Sequence, residues 1–402
     1  MPGRARRNVL ILALCQGFYL SASSTQAALS GLVGATLAPT PLLATLPYSL
    51  ITLTTASTTI PASFLMARFG RRAGFVLGAL IGGCGGALST TAIFHRNFVL
   101  FCIGNALMGC FQASAQYYRF AAADASELAF KSRAVSWVLA GGVAAAVLGP
   151  TVARFSKDLF APVLFAGAYL AIVVLAATSA LLLTFLAIPG PGNWAERGGG
   201  RPLGVIARQP AFAAAVANGV LGYAVMSFVM TATPLAAVAC GHGSDDAIGI
   251  IRWHLVGMFL PSFFSGALIE RFGVIRICLL GGALLLTSVL VSLSGTALYH
   301  FWIALALLGV GWNFMYVGGT TLLTTCYRPE ERAKTQAANE FLTFGSVALA
   351  SFSSGGVLAG FGWNAVNYAA MPLLSVAVLV TLWYGAVSRR RSAPAILPRS
   401  MS

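Results

Sequence analysis

Charged side chains are scarce along the whole chain. Only 9% of the 402 residues are Asp, Glu, Lys or Arg, whereas 58% are hydrophobic. A soluble domain typically carries about 25% charged residues. So few polar side chains cannot cover a water-facing surface. The composition therefore excludes a soluble globular protein and favours one whose surface largely faces lipid.

The chain also lacks the usual signs of an enzyme or of a nucleotide or metal site. It contains no Walker, HExxH or GxSxG motif, and its seven cysteines are scattered without a CxxC pair or a His/Cys cluster. We therefore expect no enzymatic activity, no cofactor and no bound metal. The net charge of +15 could indicate a nucleic-acid partner, but the distribution of that charge predicts a membrane topology and no nucleic acid.

Long apolar runs are what the sequence has in abundance. Each run of roughly 20 residues can cross a hydrocarbon core of about 30 Å as a helix. The runs predict an all-α membrane protein with twelve transmembrane helices. These lie near residues 9–33, 41–66, 74–93, 98–120, 134–155, 160–187, 212–238, 248–268, 275–294, 300–324, 335–358 and 363–387.

A polar segment near the midpoint divides these spans into six and six. Residues 189–210 are rich in Gly, Pro and Arg, a composition typical of a flexible linker. We therefore expect two six-helix bundles, formed by residues 1–188 and 211–402, that are joined by a cytoplasmic linker.

Basic residues are distributed unevenly across the predicted membrane. If the N-terminus is cytoplasmic, the outer loops hold only Arg96, Arg154, Lys157 and Arg252, and every other Lys and Arg lies inside. This bias obeys the positive-inside rule. It predicts a multi-pass protein of a bacterial inner membrane with both termini in the cytoplasm.

Two copies of a short sequence occupy equivalent places in the two halves. The letters RFG follow the second span at 68–70 and the eighth span at 271–273. Residues 61–72, PASFLMARFGRR, resemble the cytoplasmic loop signature G-x-x-x-D-R-x-G-R-R of the major facilitator superfamily. Ser63 replaces the first Gly of that signature, and Ala67 replaces its Asp. The resemblance implies the fold of this family and secondary transport by alternating access.

The resemblance also implies a cytoplasmic gate at these two loops. Its candidate residues are Arg68, Gly70, Arg71 and Arg72 in the first half and Gly266, Glu270, Arg271 and Gly273 in the second. Because Ala67 cannot pair with an arginine, we expect Asp124 to supply the acidic partner. Gly149 and Pro150 match part of the family's antiporter signature and favour efflux, although a proline kink with close packing explains them equally well.

Polar side chains recur on one face of several predicted spans. In the family, helices one, four, seven and ten line the central cavity, and the seventh span here carries a weaker set that includes Tyr223. Helix–helix hydrogen bonding is the alternative role for each residue. The cavity candidates are Gln16, Tyr19, Gln26, Gln112, Gln116, Arg119, Asn313, Tyr316 and Thr320.

Three titratable residues are candidates for proton coupling. Glu340 is the carboxylate deepest within a predicted span, and a cytoplasmic salt bridge is its alternative role. His254 lies inside the eighth span, where anchoring at the interface beside Trp253 is the alternative. Asp124 follows the fourth span.

Together these features predict a secondary active transporter of a small polar or aromatic organic solute. The absence of an ATP-binding motif favours an ion gradient, most simply protons, as the energy source, with a lean toward efflux antiport. We expect a monomer in the lipid bilayer. An uptake symporter or uniporter of the same fold stays open, and a non-transporting receptor or scaffold on a transporter fold is the alternative from another class.

Overall fold

The computed structural model describes residues 3–125, 131–188 and 200–392, and all regular structure in these ranges is helical. A π-helical turn at Ala217–Leu221 joins two of the helices. The helices are α1 (Gly3–Leu37), α2 (Leu46–Phe69), α3 (Arg71–Phe94), α4 (Phe98–Ala115), α5 (Tyr118–Asp124), α6 (Lys131–Ser156), α7 (Ala166–Thr184), α8 (Leu203–Ala207), α9 (Pro210–Val216), α10 (Gly222–Ala239), α11 (Ser244–Phe259), α12 (Ser262–Phe272), α13 (Val274–Ser294), α14 (Leu298–Thr324) and α15 (Arg332–Ser392).

Many of these helices are long and apolar enough to cross a membrane. Within the described ranges, seven satisfy this test by length and composition, and the pair α11 and α12, bent by 42°, adds an eighth. One of the seven lies within α15, which is broken at Gly362 with φ 77° and ψ −177° and so provides the length of two spans. The all-α membrane fold is confirmed, and the exact number of twelve spans stays a prediction.

The first and last helices of the first half are tied together at one end of the molecule. Asn8, near the start of α1, donates from Nδ2 to the carbonyl oxygen of Ala187, just after α7, at 2.6 Å. The loops at Gly70 and Gly273 lie at this same end, beside exposed arginines. We call it the basic end, because the positively charged loops of the sequence gather there.

The two halves of the chain share an apolar core at the other end, which we call the opposite end. Leu29 and Leu32 of α1 pack there with residues such as Val229 and Ile251 of the second half. The Thr45 hydroxyl also donates to the carbonyl oxygen of Phe352, across the halves, at 3.2 Å. Burial of apolar side chains from both halves therefore closes this end.

Toward the basic end the apolar cores separate. The core around Phe75 and Tyr118 contains only first-half residues within the described part of the chain. The core around Phe212 and Leu322 contains only second-half residues in the same ranges. The two halves are therefore joined at the opposite end and diverge toward the basic end.

The predicted linker 189–210 is described from residue 200 onward. There, Arg201 binds Glu331, which is fully buried, through Nε at 2.9 Å and Nη2 at 2.8 Å. Arg201 also donates from Nη2 to the carbonyl oxygen of Cys326 at 3.0 Å. This end of the linker is thus fastened to the second half; residues 189–199 lie outside the described ranges.

Candidate functional site

Four aromatic side chains of the second half meet near mid-height. Trp312 and Tyr316 stack, with ring centroids 4.9 Å apart and planes 13° apart. Tyr223 lies edge-on to both rings, at 5.0 and 5.6 Å, and Phe344 lies 6.4 Å from Tyr223. We call these four residues the aromatic cluster. Their arrangement offers ring faces and edges to a planar solute.

Local helix geometry explains why these rings meet. Trp312 and Tyr316 are one turn apart on α14, so they project from the same helix face. The π-helical turn Ala217–Leu221 ends two residues before Tyr223, and such turns are frequent at functional sites because they shift the helix register. Trp312, Tyr316 and Phe344 stand well away from the ends of their helices, and Tyr223 directly follows the π-helical turn that continues α9 into α10.

One polar atom of the aromatic cluster is unsatisfied. Trp312 is 6% exposed, and within the described residues its indole Nε1–H has no hydrogen-bond partner. A buried donor left unpaired costs about 1–3 kcal/mol. A solute that accepts a hydrogen bond at this point would remove that cost.

The first half contributes a tyrosine to the same site. Tyr19 on α1 is 4% exposed and packs edge-on against Phe111, with ring centroids 5.6 Å apart. It lies within electrostatic range of Tyr223 of the second half, and also of Tyr48 and Arg119. The site is therefore built from both halves of the chain.

Two opposite charges border the aromatic cluster, one from each half. Arg119 on α5 and Glu340 on α15 interact electrostatically with each other, and both lie within electrostatic range of Tyr316. Glu340 also acts on Tyr223 and precedes Phe344 by one turn of helix. Both charged side chains are partly exposed, so water or a solute can reach them.

The structure brings together some of the predicted cavity residues and not others. Tyr19 and Arg119 lie within electrostatic range of the aromatic cluster, to which Tyr316 belongs. Thr320 is exposed one turn beyond Tyr316, to whose carbonyl oxygen it donates at 2.8 Å. The partly exposed amides are Gln16, Gln112 and Gln116. Their place in a solute pathway stays a prediction.

Two predicted cavity residues are bonded within their own halves. The Gln26 amide nitrogen contacts the Met108 sulfur at 2.8 Å. The Asn313 amide donates to the carbonyl oxygen of Met258 at 2.8 Å and to the Ser262 hydroxyl at 2.7 Å. Both contacts are of the helix–helix kind that was the alternative role for these residues.

The predicted proton-coupling residues occupy different environments. Glu340 borders the aromatic cluster. His254 is fully buried, and its Nδ1 lies 2.8 Å from the carbonyl oxygen of Leu305, between α11 and α14. The side chain of Asp124 lies outside the described part of the structure, and so does the pairing proposed for it.

The two predicted gate loops have the same backbone conformation. Gly70 has φ 86° and ψ 154°, and Gly273 has φ 87° and ψ 145°. This region is accessible essentially only to glycine. Arg68 lies over Phe69 with its Cζ 5.3 Å from the ring centroid, and the corresponding distance from Arg271 to Phe272 is also 5.3 Å.

The other gate candidates surround these loops. Arg72 and Glu270 are exposed, Arg71 is partly exposed, and Gly266 lies within α12 with open space around the position of a Cβ. Their gating role stays a prediction.

A second cluster of charges joins the halves at the opposite end. Asp245, in the first turn of α11, lies 3.4 Å from the Lys157 ammonium and 3.7 Å from the Arg154 guanidinium, both of which follow or end α6. Lys157 also pairs with Asp158. We call these four residues the outer latch.

Sequence reasoning missed Trp312, Phe344 and the outer latch. Trp312 stands four residues before Tyr316, so the sequence signal for this pair is the i, i+4 spacing of two aromatic residues and not a polar pattern. The sequence also contained a signal for the outer latch, since Arg154 and Lys157, two of the four cations predicted in the outer loops, flank the end of one helix. Phe344 carried no local signal, because only the tertiary fold brings it to Tyr223.

Comparison with known proteins agrees with this architecture. The sequence model of the Major Facilitator Superfamily matches residues 12–251 and 242–399. The chain is 44% identical over 382 residues to the riboflavin transporter RfnT of Brucella anthropi, covering 94% of this chain and 95% of that one. It is 29% identical over 358 residues to YddS, an uncharacterized MFS-type transporter of Bacillus subtilis, covering 84% of this chain and 82% of that one.

Solved structures share the fold. The human organic anion transporter MFSD10 has a TM-score of 0.68 at 14% identity, with 95% of this chain and all of that chain covered. FucP in the outward conformation has a TM-score of 0.58 at 17% identity, with 94% and 98% covered. The chain is thus a multi-pass membrane transporter and not an enzyme, and it belongs to the Major Facilitator Superfamily.

Proposed function

We propose that this transporter carries riboflavin or a closely related flavin. The observation that carries the proposal is the aromatic cluster near mid-height, bordered by side chains of both halves. A flavin ring is planar and aromatic, so it can stack on Trp312 and Tyr316 while the edge of Tyr223 packs against it. The relative named as a riboflavin transporter, at 44% identity over nearly the whole chain, supports the same substrate.

The transport cycle we propose is alternating access between two six-helix bundles. The halves meet at the opposite end and diverge toward the basic end. The positive-inside rule assigns the basic end to the cytoplasm, which makes this an inward-facing state of an inner-membrane protein. The outer latch would hold that state, and the gate loops at Gly70 and Gly273 would close the other.

Proton coupling and direction complete the proposal. Glu340 is the carboxylate beside the aromatic cluster, and we assign it the coupling proton. The partial antiporter signature at Gly149 and Pro150 favours efflux in exchange for protons. Uptake with protons is the competing direction.

Flux of riboflavin in proteoliposomes tests the proposal. Full-length protein should move riboflavin faster than empty liposomes do, and an imposed pH gradient should drive net flux in one direction. Trp312→Leu removes a stacking face and should lower flux about tenfold or more, since base–aromatic stacking contributes roughly 1–3 kcal/mol. Trp302→Leu is the matched control, because Trp302 lies on the same helix and is exposed.

Each part of the proposal has its own outcome that would contradict it. Absence of riboflavin flux by the wild-type protein overturns the substrate. Equal flux for Trp312→Leu and Trp302→Leu overturns the role of the aromatic cluster. Flux that ignores the pH gradient overturns proton coupling, and a gradient that drives flux the opposite way assigns uptake.

A further inference from the structure

Arg119 and Glu340 form a charged pair beside the aromatic cluster. The ligand group that we assign to this pair rests on the proposed function. Arg119 and Glu340 come from different halves and interact electrostatically. Within the described residues the Arg119 Nε–H is buried and has no hydrogen-bond partner. Arg119 reaches Tyr19 and Tyr316 electrostatically, and Glu340 reaches Tyr223 and Tyr316. Both charges therefore lie beside the aromatic cluster, and Glu340 precedes Phe344 of that cluster by one turn of helix.

A guanidinium and a carboxylate have complementary hydrogen-bonding roles. Arginine only donates, and an ionised glutamate only accepts. A planar solute whose edge carries both an acceptor and a donor would satisfy the two together. The pyrimidine-dione edge of a flavin has this pattern, since an imide N–H stands between two carbonyl groups.

We infer that Arg119 and Glu340 bind the imide edge of the flavin ring. Arg119 donates to a ring carbonyl oxygen, and Glu340 accepts the hydrogen of the imide N–H. The aromatic cluster holds the faces of the ring, and the Trp312 Nε1–H donates to a further acceptor of the solute. Because the two charges belong to opposite halves, a single bound ring connects the two bundles.

The inference has a test that needs no mutation. Equilibrium dialysis of the full-length protein in detergent measures binding of riboflavin and of riboflavin methylated at the imide nitrogen. The methyl group removes the only N–H of that edge and leaves the stacking faces unchanged. We expect the methylated compound to bind about tenfold more weakly or worse, because a site built to accept a hydrogen bond rejects an analogue that cannot donate it.

Variants assign the discrimination to one side chain. Glu340→Ala should bind the two flavins equally, within about twofold, because the acceptor is gone. Glu340→Gln should retain a preference for riboflavin, since its amide oxygen still accepts. Glu330→Ala removes an exposed carboxylate elsewhere and should keep the wild-type preference.

The outcomes separate this inference from the proposed function. Equal binding of the two flavins by the wild-type protein, or full discrimination by Glu340→Ala, overturns the imide assignment and leaves riboflavin transport standing. Failure of the wild-type protein to bind riboflavin overturns both.

Discussion

Gly70 and Gly273 show a constraint that acts on single residues. Each ends a helix with φ near +86° and turns the chain into the next helix, and a Cβ at either position would meet no atom within 4 Å. Space is therefore not the reason for glycine here. The reason is backbone conformation, because residues with a side chain rarely adopt this region.

Replacing Gly273 by alanine should destabilise the protein through the backbone alone. We expect a loss of about 1–3 kcal/mol, seen as a lower midpoint of thermal unfolding in detergent. Gly266→Ala is the matched control, since Gly266 lies in the preceding helix with equally open space. Alanine favours a helix more than glycine does, so the control should be neutral or slightly stabilising. Equal midpoints for the two variants would show that the positive φ carries no cost.

For single residues, the sequence indicates which helix carries polar side chains better than it indicates the direction in which each side chain points. Polar periodicity drew attention to the tenth span, where Asn313 bonds to Met258 while Trp312 and Tyr316 belong to the aromatic cluster. Adjacent positions on a helix differ by about 100°, so a one-residue choice decides between a cavity and a helix contact. Only the packing of neighbouring helices fixes which face is which.

At the level of helices and loops, a buried ion pair between Arg201 and Glu331 holds the start of the second half. This pair lies outside the predicted spans. Glu331 accepts hydrogen bonds from Arg201 through Nε, Nη2 and the backbone N, and from the backbone N of Arg328 at 2.9 Å. The Arg201 guanidinium and these amides hold the pKa of the Glu331 carboxyl well below its usual range, although burial opposes them. The pair fastens residues 200–207 to the junction of α14 and α15.

This ion pair should make stability depend on pH in acid. A carboxyl whose pKa is lowered by folding stabilises the native state fully above its ordinary pKa of about 4.3, and that stabilisation is lost as pH falls through the lowered value. Glu331→Gln should therefore lower the thermal midpoint at pH 7 by a few degrees. The difference from wild type should shrink below about pH 4. We would measure thermal unfolding of both proteins between pH 7 and the lowest pH at which they stay soluble.

Glu330→Gln provides the comparison, because Glu330 is the adjacent carboxylate and is exposed. It should leave the midpoint unchanged at every pH. A deficit of Glu331→Gln that is the same at low and neutral pH would show that the carboxylate charge does not contribute.

At the scale of the whole molecule, composition and the spacing of apolar runs predict the fold, because lipid requires every backbone group to be bonded within helices. The duplicated RFG loops predict the relation between the halves, and the structure gives both loops one conformation. Which end is closed could not be predicted. Two closures of the same bundles differ by only a few kcal/mol, and that difference is spread over many contacts far apart in sequence.

The outer latch is one such set of contacts, and breaking it should favour opening of the opposite end. Asp245 bridges from the second half to Lys157 and Arg154 of the first, and Asp245→Asn removes the charge that both cations share. A partly exposed ion pair contributes about 0.2–1 kcal/mol, so the ratio of the two states should change up to about fivefold. Spin labels introduced as unnatural amino acids at Leu159 and Tyr299, which are exposed at this end, would report a longer mean distance.

Asp246→Asn distinguishes the latch from a general effect of charge on α11. Asp246 lies in the same first turn, but its carboxylate accepts from the backbone N of Gly243 at 3.1 Å and so caps its own helix. Both variants lose one negative charge at the positive end of a helix dipole, and both should lose some local stability. Only Asp245→Asn removes contacts between the halves, so only it should lengthen the distance between Leu159 and Tyr299. Identical distance distributions in the two variants would mean that the closed end depends on its shared apolar core and not on the latch.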